Sequence, residues 1–504
     1  MAPSVDDGFV ASLALPAAQT ADLMAELEAR RPHAAGTASL ACLAAQKVLG
    51  DDAVIIAPVR QSLVDVNWSQ ACRETPACVI QAKSAHDVAT ALKIVTHFQV
   101  PFAIRSAGHS PNPGWSSISQ SGILIDLSLL NAVTISADKE TVSLGPGGHW
   151  GQVYEALDPY GISVIGGRIP QVGVGGLMLG GGYHHFSAAY GLAADNVKNF
   201  EVVLADGTVT NANAETNSDL FWALKGGGPN FGIVTRYDVL VVALEHVPAL
   251  FDAFATWQKG GAADGRGTVS LVVGLDAATL GFIYSSPQAG RPSMFSEFDA
   301  IPVLLTAVPP TNGTAASLAA LLGAAVFNTK ERHDYRAASS TVDAQLWKDV
   351  YYAWHKHAIA VRTSTGANQT FVIQPMTKQL VQQGINKGGN PLGLPIDDFQ
   401  CWTTLIDWSN ADDDETVRSV SISTSNMWRD LSTARGLGID FLYAGDSSRD
   451  QNPLASYGSA NVAKLKAVSE KYDPAQVFQI LQNDGFLLRK LAGLRHHDQD
   501  AHSL

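Results

Sequence analysis

Residues 172–186 read VGVGGLMLGGGYHHF, and six of the first eleven are glycine. Glycine at that density lets main chain approach another group closely and presents amide N–H groups with no side chain in the way. Two shorter runs repeat the pattern, GPGG at 145–148 and KGGGPNFG at 225–232. Together they imply a backbone cradle for a large, phosphate-bearing cofactor. The run is not a dinucleotide fingerprint, because Gly173-x-Gly175 is followed by Met178 where G-x-G-x-x-G needs its third glycine; nor does any G-x-x-x-x-G-K-[ST] occur.

A second stretch, RSAGHSPNPGW at 105–115, sets one imidazole, His109, among small residues and turn formers. Bulk properties limit what it can serve. The chain has 504 residues, 46% of them apolar, enough for two or three compact units. A formal charge of −13 argues against a nucleic-acid partner, which calls for clustered Lys and Arg. No window supplies the roughly 20 consecutive apolar residues of a membrane span. Asp6 and Asp7 stand where a secretory signal would be basic, so an intracellular protein is the expectation. Asn67, Asn312 and Asn368 open N-x-S/T triplets, which carry little weight in a chain this long. Cys42, Cys72, Cys78 and Cys401 form no C-x-x-C pair and are read as buried thiols. With no H-E-x-x-H and no acidic companion for His355 and His357, no metal site is expected; with no G-x-S-x-G, no activated serine is either.

Along the chain, a strand near Val79 leads to a helix capped by Ser84, with Asp87 three positions on and apolar residues at Val88, Ala91, Leu92 and Val95. PFAIRS, GILIDLS and TVSLGPG read as strands, WGQVYEALDPYG as a helix, and NFEVVLADGTVTNA as a hairpin turning at Asp206-Gly207. NSDLFWALKGGG is a short helix with Asn217 or Ser218 as cap, and GIVTRYDVLVVAL a long strand. Beyond Leu244 the glycine clusters thin out and a second unit begins; FVIQPM and GIDFLYAG are its strands. The mixture lacks a strict βαβ rhythm and predicts an α+β fold. The tail RHHDQDAH reads as frayed.

RSAGHS, ILIDLSLLNAV, the 172–207 stretch and NSDLFWALKGGGPNFGIVT, in that order, resemble the berberine bridge enzyme-like branch of the vanillyl-alcohol oxidase/PCMH superfamily of FAD-linked oxidases. The resemblance implies a lead-in at 1–72, a PCMH-type FAD-binding domain at 73–244, and a substrate domain at 245–450 with a helix-covered antiparallel sheet. A berberine-bridge-type segment at 451–490 would return to the FAD domain, with a polar tail at 491–504. FAD would contact Arg105, Ser106, Ala107, Gly108, Ser110, Gly167, Val172, Gly173, Gly175, Gly176, Gly180, Gly181, Tyr183, Asn196, Gly232 and Val234. His109 falls where the family joins a histidine to the flavin 8α carbon. Ile169 falls where many members carry a cysteine for a second bond, so one covalent tether is expected. Val100 falls where a partner for Cys42 is expected, which implies no disulfide.

The resemblance further implies hydride transfer from a substrate C–H bond, a base on the substrate side and oxygen as reoxidant. Tyr443 and Asp446, on an expected FLYAGDSS strand, are the leading candidates for the base; His184, His185 and Gln374 are the others. The missing cysteine tilts the substrate toward a hydrophobic natural product, with or without ring closure. A non-redox isomerase or cyclase and a carbohydrate oxidase remain as alternatives.

Overall fold

The computed structural model describes residues 7–30, 36–240, 242–243, 267–276, 278–284, 295, 313–325 and 332–493. Helices α1 (Asp7–Ser12), α2 (Ala17–Arg30) and α3 (Thr37–Leu49) precede strand β1 (Val54–Ile56), α4 (Gln61–Val64), β2 (Cys78–Gln81), α5 (Ala85–Phe98), β3 (Phe102–Arg105) and β4 (Ile123–Asp126). The strands form a sheet in the order β1-β2-β4-β3, in which β4 runs parallel to both β2 and β3. Ser84 caps α5, its hydroxyl accepting the Asp87 amide at 3.2 Å, and the expected apolar stripe of that helix is buried.

The second sheet uses β5 (Val133–Ile135) and β6 (Thr141–Leu144). There follow α6 (Trp150–Leu157), β7 (Ile162–Ser163), α7 (Val174–Leu179), α8 (Ser187–Tyr190), β8 (Val197–Val203), β9 (Val209–Asn213), α9 (Ser218–Leu224), β10 (Ile233–Leu240) and β11 (Val242–Ala243). Its order is β5-β6-β10-β8-β9, all antiparallel, with β7 and β11 paired separately.

The third sheet is antiparallel throughout and positions the site. It is built from β12 (Gly267–Val273), β13 (Ala278–Tyr284), β14 (Arg332–Thr341), β15 (Asn368–Gln369), β16 (Phe371–Met376), β17 (Phe399–Trp408) and β18 (Gly438–Ile439), in the order β13-β12-β16-β17-β14-β18 with β15 on β17. Between these strands lie α10 (Ala315–Ala325), α11 (Ala344–Thr365), α12 (Lys378–Asn386) and α13 (Asp414–Ala434). Phe371, Ile373, Trp402, Ile406 and Trp408 pack under Leu346, Val350 and Trp354 of α11 and Val417, Val420 and Trp428 of α13. Strand alternation therefore sends His333, Tyr335, Gln374, Cys401, Thr403 and Asp407 to the opposite face, away from the helices.

Helices α14 (Ser459–Tyr472) and α15 (Val477–Ile480) bring the chain back to the first two sheets. The Phe102 amide donates to Leu481 O and the Asn483 amide to Phe102 O. Buried Asn230 donates to Gly227 O and Phe486 O, and its Oδ1 accepts from Gln479 and the Leu488 amide.

Three expectations need correction. Cys42 and Cys78 form a disulfide, with Cα atoms 5.9 Å apart, and only Cys72 and Cys401 are free thiols. The partner lies on β2, against which α3 packs, rather than at position 100 before β3. FLYAGDSS is not a strand: pairing ends after Ile439, and a 3-10 turn, Ala444–Asp446, takes its place. The turn closes because Ser447 Oγ donates to Tyr443 O and because Gly445 lies against the Tyr443 ring, where a Cβ would sit 2.7–2.9 Å from ring atoms. Asn217 occupies the cap position of α9 but its side chain bonds Thr210 and Asn211, so it fastens the helix to β9 instead. Asn312 and RHHDQDAH lie outside the described residues.

Candidate active site

The cradle is assembled by glycines facing one another across loops. A Cβ on Gly173 would meet Ala107 Cβ at 2.5 Å, one on Gly175 would meet Ser106 Oγ at 2.9 Å, and one on Gly147 would strike Leu127 O at 2.0 Å. Ser106 Oγ donates to Pro146 O, which locks the 105–110 loop to the GPGG turn. Arg105 is buried; it pairs with Asp126 at 2.5 Å and donates to Leu63 O, holding the strand end beneath that loop. Gly108 has φ +71°, a left-handed conformation that suits glycine. The amides of Ala107, Gly108, His109 and Ser110 donate to no acceptor among the described residues. Four successive amide N–H groups with no acceptor among the described residues are a donor set whose chemistry suits a pyrophosphate.

His109 stacks on Trp68 with centroids 4.3 Å apart, and Trp68 stacks on His333 at 3.9 Å. Burial, then the His333 and His149 imidazoles, push the His109 imidazolium down to about 3, so its ring is neutral in solution near pH 7. A neutral ring is the nucleophilic form.

A polar chain links the loop between β7 and α7 to the third sheet. Arg168 Nη2 donates to Gln374 Oε1 at 2.6 Å, and Gln374 Nε2 donates to Asp446 Oδ2. The Arg168 guanidinium sits 5.0 Å from the Tyr183 ring centroid, a cation–π placement. Burial raises the Asp446 pKa, with Arg168 and Gln374 opposing it. Tyr335, on the same face, has its hydroxyl pKa driven well up by burial and by Asp446 and Asp407. Thr403 Oγ1 and His185 Nε2 are buried and have no hydrogen-bond partner among the described residues.

The remaining candidates have duties within the protein. Tyr443 Oη accepts the Tyr183 amide at 2.8 Å, Tyr183 Oη donates to Pro375 O, and burial raises both phenols above their ordinary value. His184 Nδ1 accepts the Phe186 amide, and burial then Arg168 push its pKa down to about 3. His185 is likewise pushed well down by burial, His184 and Arg168. Asn196 bonds Tyr190 O and Leu192 O and accepts from Lys387. Gly167 packs under Trp150 and Gly232 against Val202 and Val203, while Val234 is buried in the core. Val172 O accepts the Trp150 amide, and the Gly180 and Gly181 amides close the end of α7. A Cβ on Gly176 would meet nothing within 4 Å, so that position borders open space. Sequence reasoning missed Arg168, Tyr335 and Trp68; the first stood next to Ile169 in a stretch already singled out.

The FAD binding domain family matches residues 76–213. An FAD-dependent monooxygenase of Arthrobotrys oligospora is 35% identical over 465 residues, 90% of each chain. The bifunctional solanapyrone synthase of Alternaria solani is 34% identical over 432 residues, 82% of each. Among solved structures, berberine bridge enzyme from Eschscholzia californica superposes with a TM-score of 0.66 at 18% identity, covering 88% of this chain and 98% of that one. No helix among the described residues is long and apolar enough to cross a membrane.

Proposed function

Because the chain belongs to the fungal FAD-dependent oxidoreductases built on the fold of berberine bridge enzyme, we propose that it oxidises a hydrophobic natural product at a C–H bond, with Asp446 as the base. The chain binds FAD, which when bound supplies a hydride acceptor that molecular oxygen can restore. Residues 73–244 and 451–490 form the cofactor unit and 245–450 the roof above the substrate.

The observation that carries the reading is the Arg168–Gln374–Asp446 chain. Gln374 fixes Asp446 Oδ2 as an acceptor, which leaves Oδ1 to take a substrate proton. A raised pKa brings the carboxyl closer to working pH and makes it a stronger base when ionised. Tyr443 is the weaker candidate, since its hydroxyl already accepts the Tyr183 amide. Arg168 has one hydrogen bond among its five N–H donors and no carboxylate within ion-pair distance among the described residues, so it can orient a substrate oxygen. His109 carries the cofactor through its 8α carbon, and Ile169 offers no second link.

The experiment is anaerobic mixing with a panel of fungal polyketide and alkaloid precursors. Bleaching of the flavin by a compound that is also turned over supports the reading. Turnover without bleaching would instead mark a non-redox cyclase or isomerase, and peroxide release with oligosaccharides a carbohydrate oxidase. Labelled oxygen appearing in product would identify oxygen insertion, as in the relatives named monooxygenases.

A further inference from the structure

The region ahead of β2 holds a ring that touches the presumed anchor. Trp68 lies between two imidazoles, His109 on one face at 4.3 Å and 10° and His333 on the other at 3.9 Å and 8°. Both angles are close to parallel, so three rings form one continuous stack. Tyr335 borders it at 5.6 Å.

Each end of the stack is fastened to a different part of the fold. On one side the Trp68 amide donates to Gly108 O at 3.0 Å and Cys72 Sγ donates to Ser110 O, so the 67–72 segment is tied to the residues flanking His109. On the other, His333 lies on β14 and is buried; its Nδ1 meets Asp407 Oδ1 on β17 at 2.9 Å, and its amide donates to Ser69 Oγ. Asp407 and His333 are direct partners across the β14–β17 ladder. The indole is thereby held from both faces and cannot rotate without breaking the stack.

We propose that Trp68, backed by His333 and Asp407, is a positioning residue for covalent attachment of the flavin at His109. Stacking one face of the imidazole against the indole fixes its plane and leaves its edge, where both nitrogens lie, uncovered by the indole. A flexible imidazole would sample orientations in which neither nitrogen faces the reacting carbon; fixing the ring removes that entropy from the barrier. The bond joins an imidazole nitrogen to the 8α carbon. The methyl group and the imidazole lose one hydrogen each, and the electron pair passes through the ring system to molecular oxygen, which leaves as peroxide.

This inference rests on the covalent reading of His109, and the test separates the two. FAD is added to apoprotein of wild type, Trp68→Ala, Trp68→Phe and His333→Ala. Bound flavin is measured after gel filtration, and flavin retained in the acid-precipitated polypeptide is followed with time. At equal FAD occupancy the expected order is wild type fastest, Trp68→Phe close to it, His333→Ala slower, and Trp68→Ala slower by about tenfold or more. A merely structural role would lower occupancy and covalent yield together, without changing their ratio. Attachment at the wild-type rate in Trp68→Ala overturns the inference alone. Should that variant not fold, attachment at the wild-type rate in His333→Ala overturns it. A colourless wild-type pellet overturns the covalent reading and this inference with it.

Discussion

Asp446 is a carboxyl whose folded-state pKa is raised, and the sign of that shift couples activity to stability in opposite directions. The unfolded chain releases this proton more readily than the folded one, so ionising Asp446 destabilises the fold as pH rises through and above the ordinary carboxylate range. Asp446→Asn is therefore expected to raise Tm at neutral pH, or leave it unchanged, while flavin reduction by substrate slows by about 10² to 10⁴. The wild-type rate of reduction should climb with pH through a value above that of an ordinary aspartate, and this limb should vanish in the variant. A variant that loses Tm and keeps its rate would remove Asp446 from the chemistry. Arg105 is held in place by burial and its pairing with Asp126. Asp126→Asn strands a guanidinium buried beneath the 106–110 loop and should cost about 3–5 kcal/mol in denaturant unfolding. The glycine clusters and the lone imidazole of His109 stand out in the sequence as local features, whereas the candidacy of Asp446 came from the family resemblance. Arg168, Tyr335 and Trp68 were not legible there, because their meaning arises from contacts between residues far apart in the chain, as in the Trp68–Tyr335 ring contact or the Arg168–Gln374 bond, the latter 206 positions apart.

At the scale of elements, local signals read well where an element is set by its own sequence. The Ser84 cap, the α5 stripe and the Asp206-Gly207 hairpin all form as their residues dictate. They read badly where the tertiary partner decides. FLYAGDSS opens with strand-forming residues, yet pairing ends at Ile439 and the chain folds back so that Tyr443 reaches the Tyr183 amide. Gly445 permits that return, and Gly445→Ala should cost about 1–3 kcal/mol through overpacking against the Tyr443 ring. The Cys42–Cys78 bridge was missed for the same reason, since it joins a helix to a strand that sequence spacing does not pair. It closes a separation of 36 residues, and replacing both cysteines by alanine should lower stability by roughly 2–4 kcal/mol in urea unfolding. No change in that titration would mean the bridge adds nothing to folding.

For the molecule as a whole, the third sheet meets the rest of the fold at Trp68–His333 and Arg168–Gln374, and the last segment is tied to the 225–232 glycine run through Asn230. The α+β class followed from the mixed order of helices and strands, and the return of the C-terminal segment was expected from the family resemblance; which face of the third sheet points at the glycine loops was not legible, because it depends on where α11 and α13 cover the sheet. The proposed chemistry stands on His109 as the single covalent anchor of the cofactor. The direct measurement is acid precipitation of the purified protein beside His109→Ala, with absorbance read in pellet and supernatant. Yellow colour is expected in the wild-type pellet and none in that of the variant, its flavin passing to the supernatant. A colourless wild-type pellet, or a yellow one in His109→Ala, would contradict it.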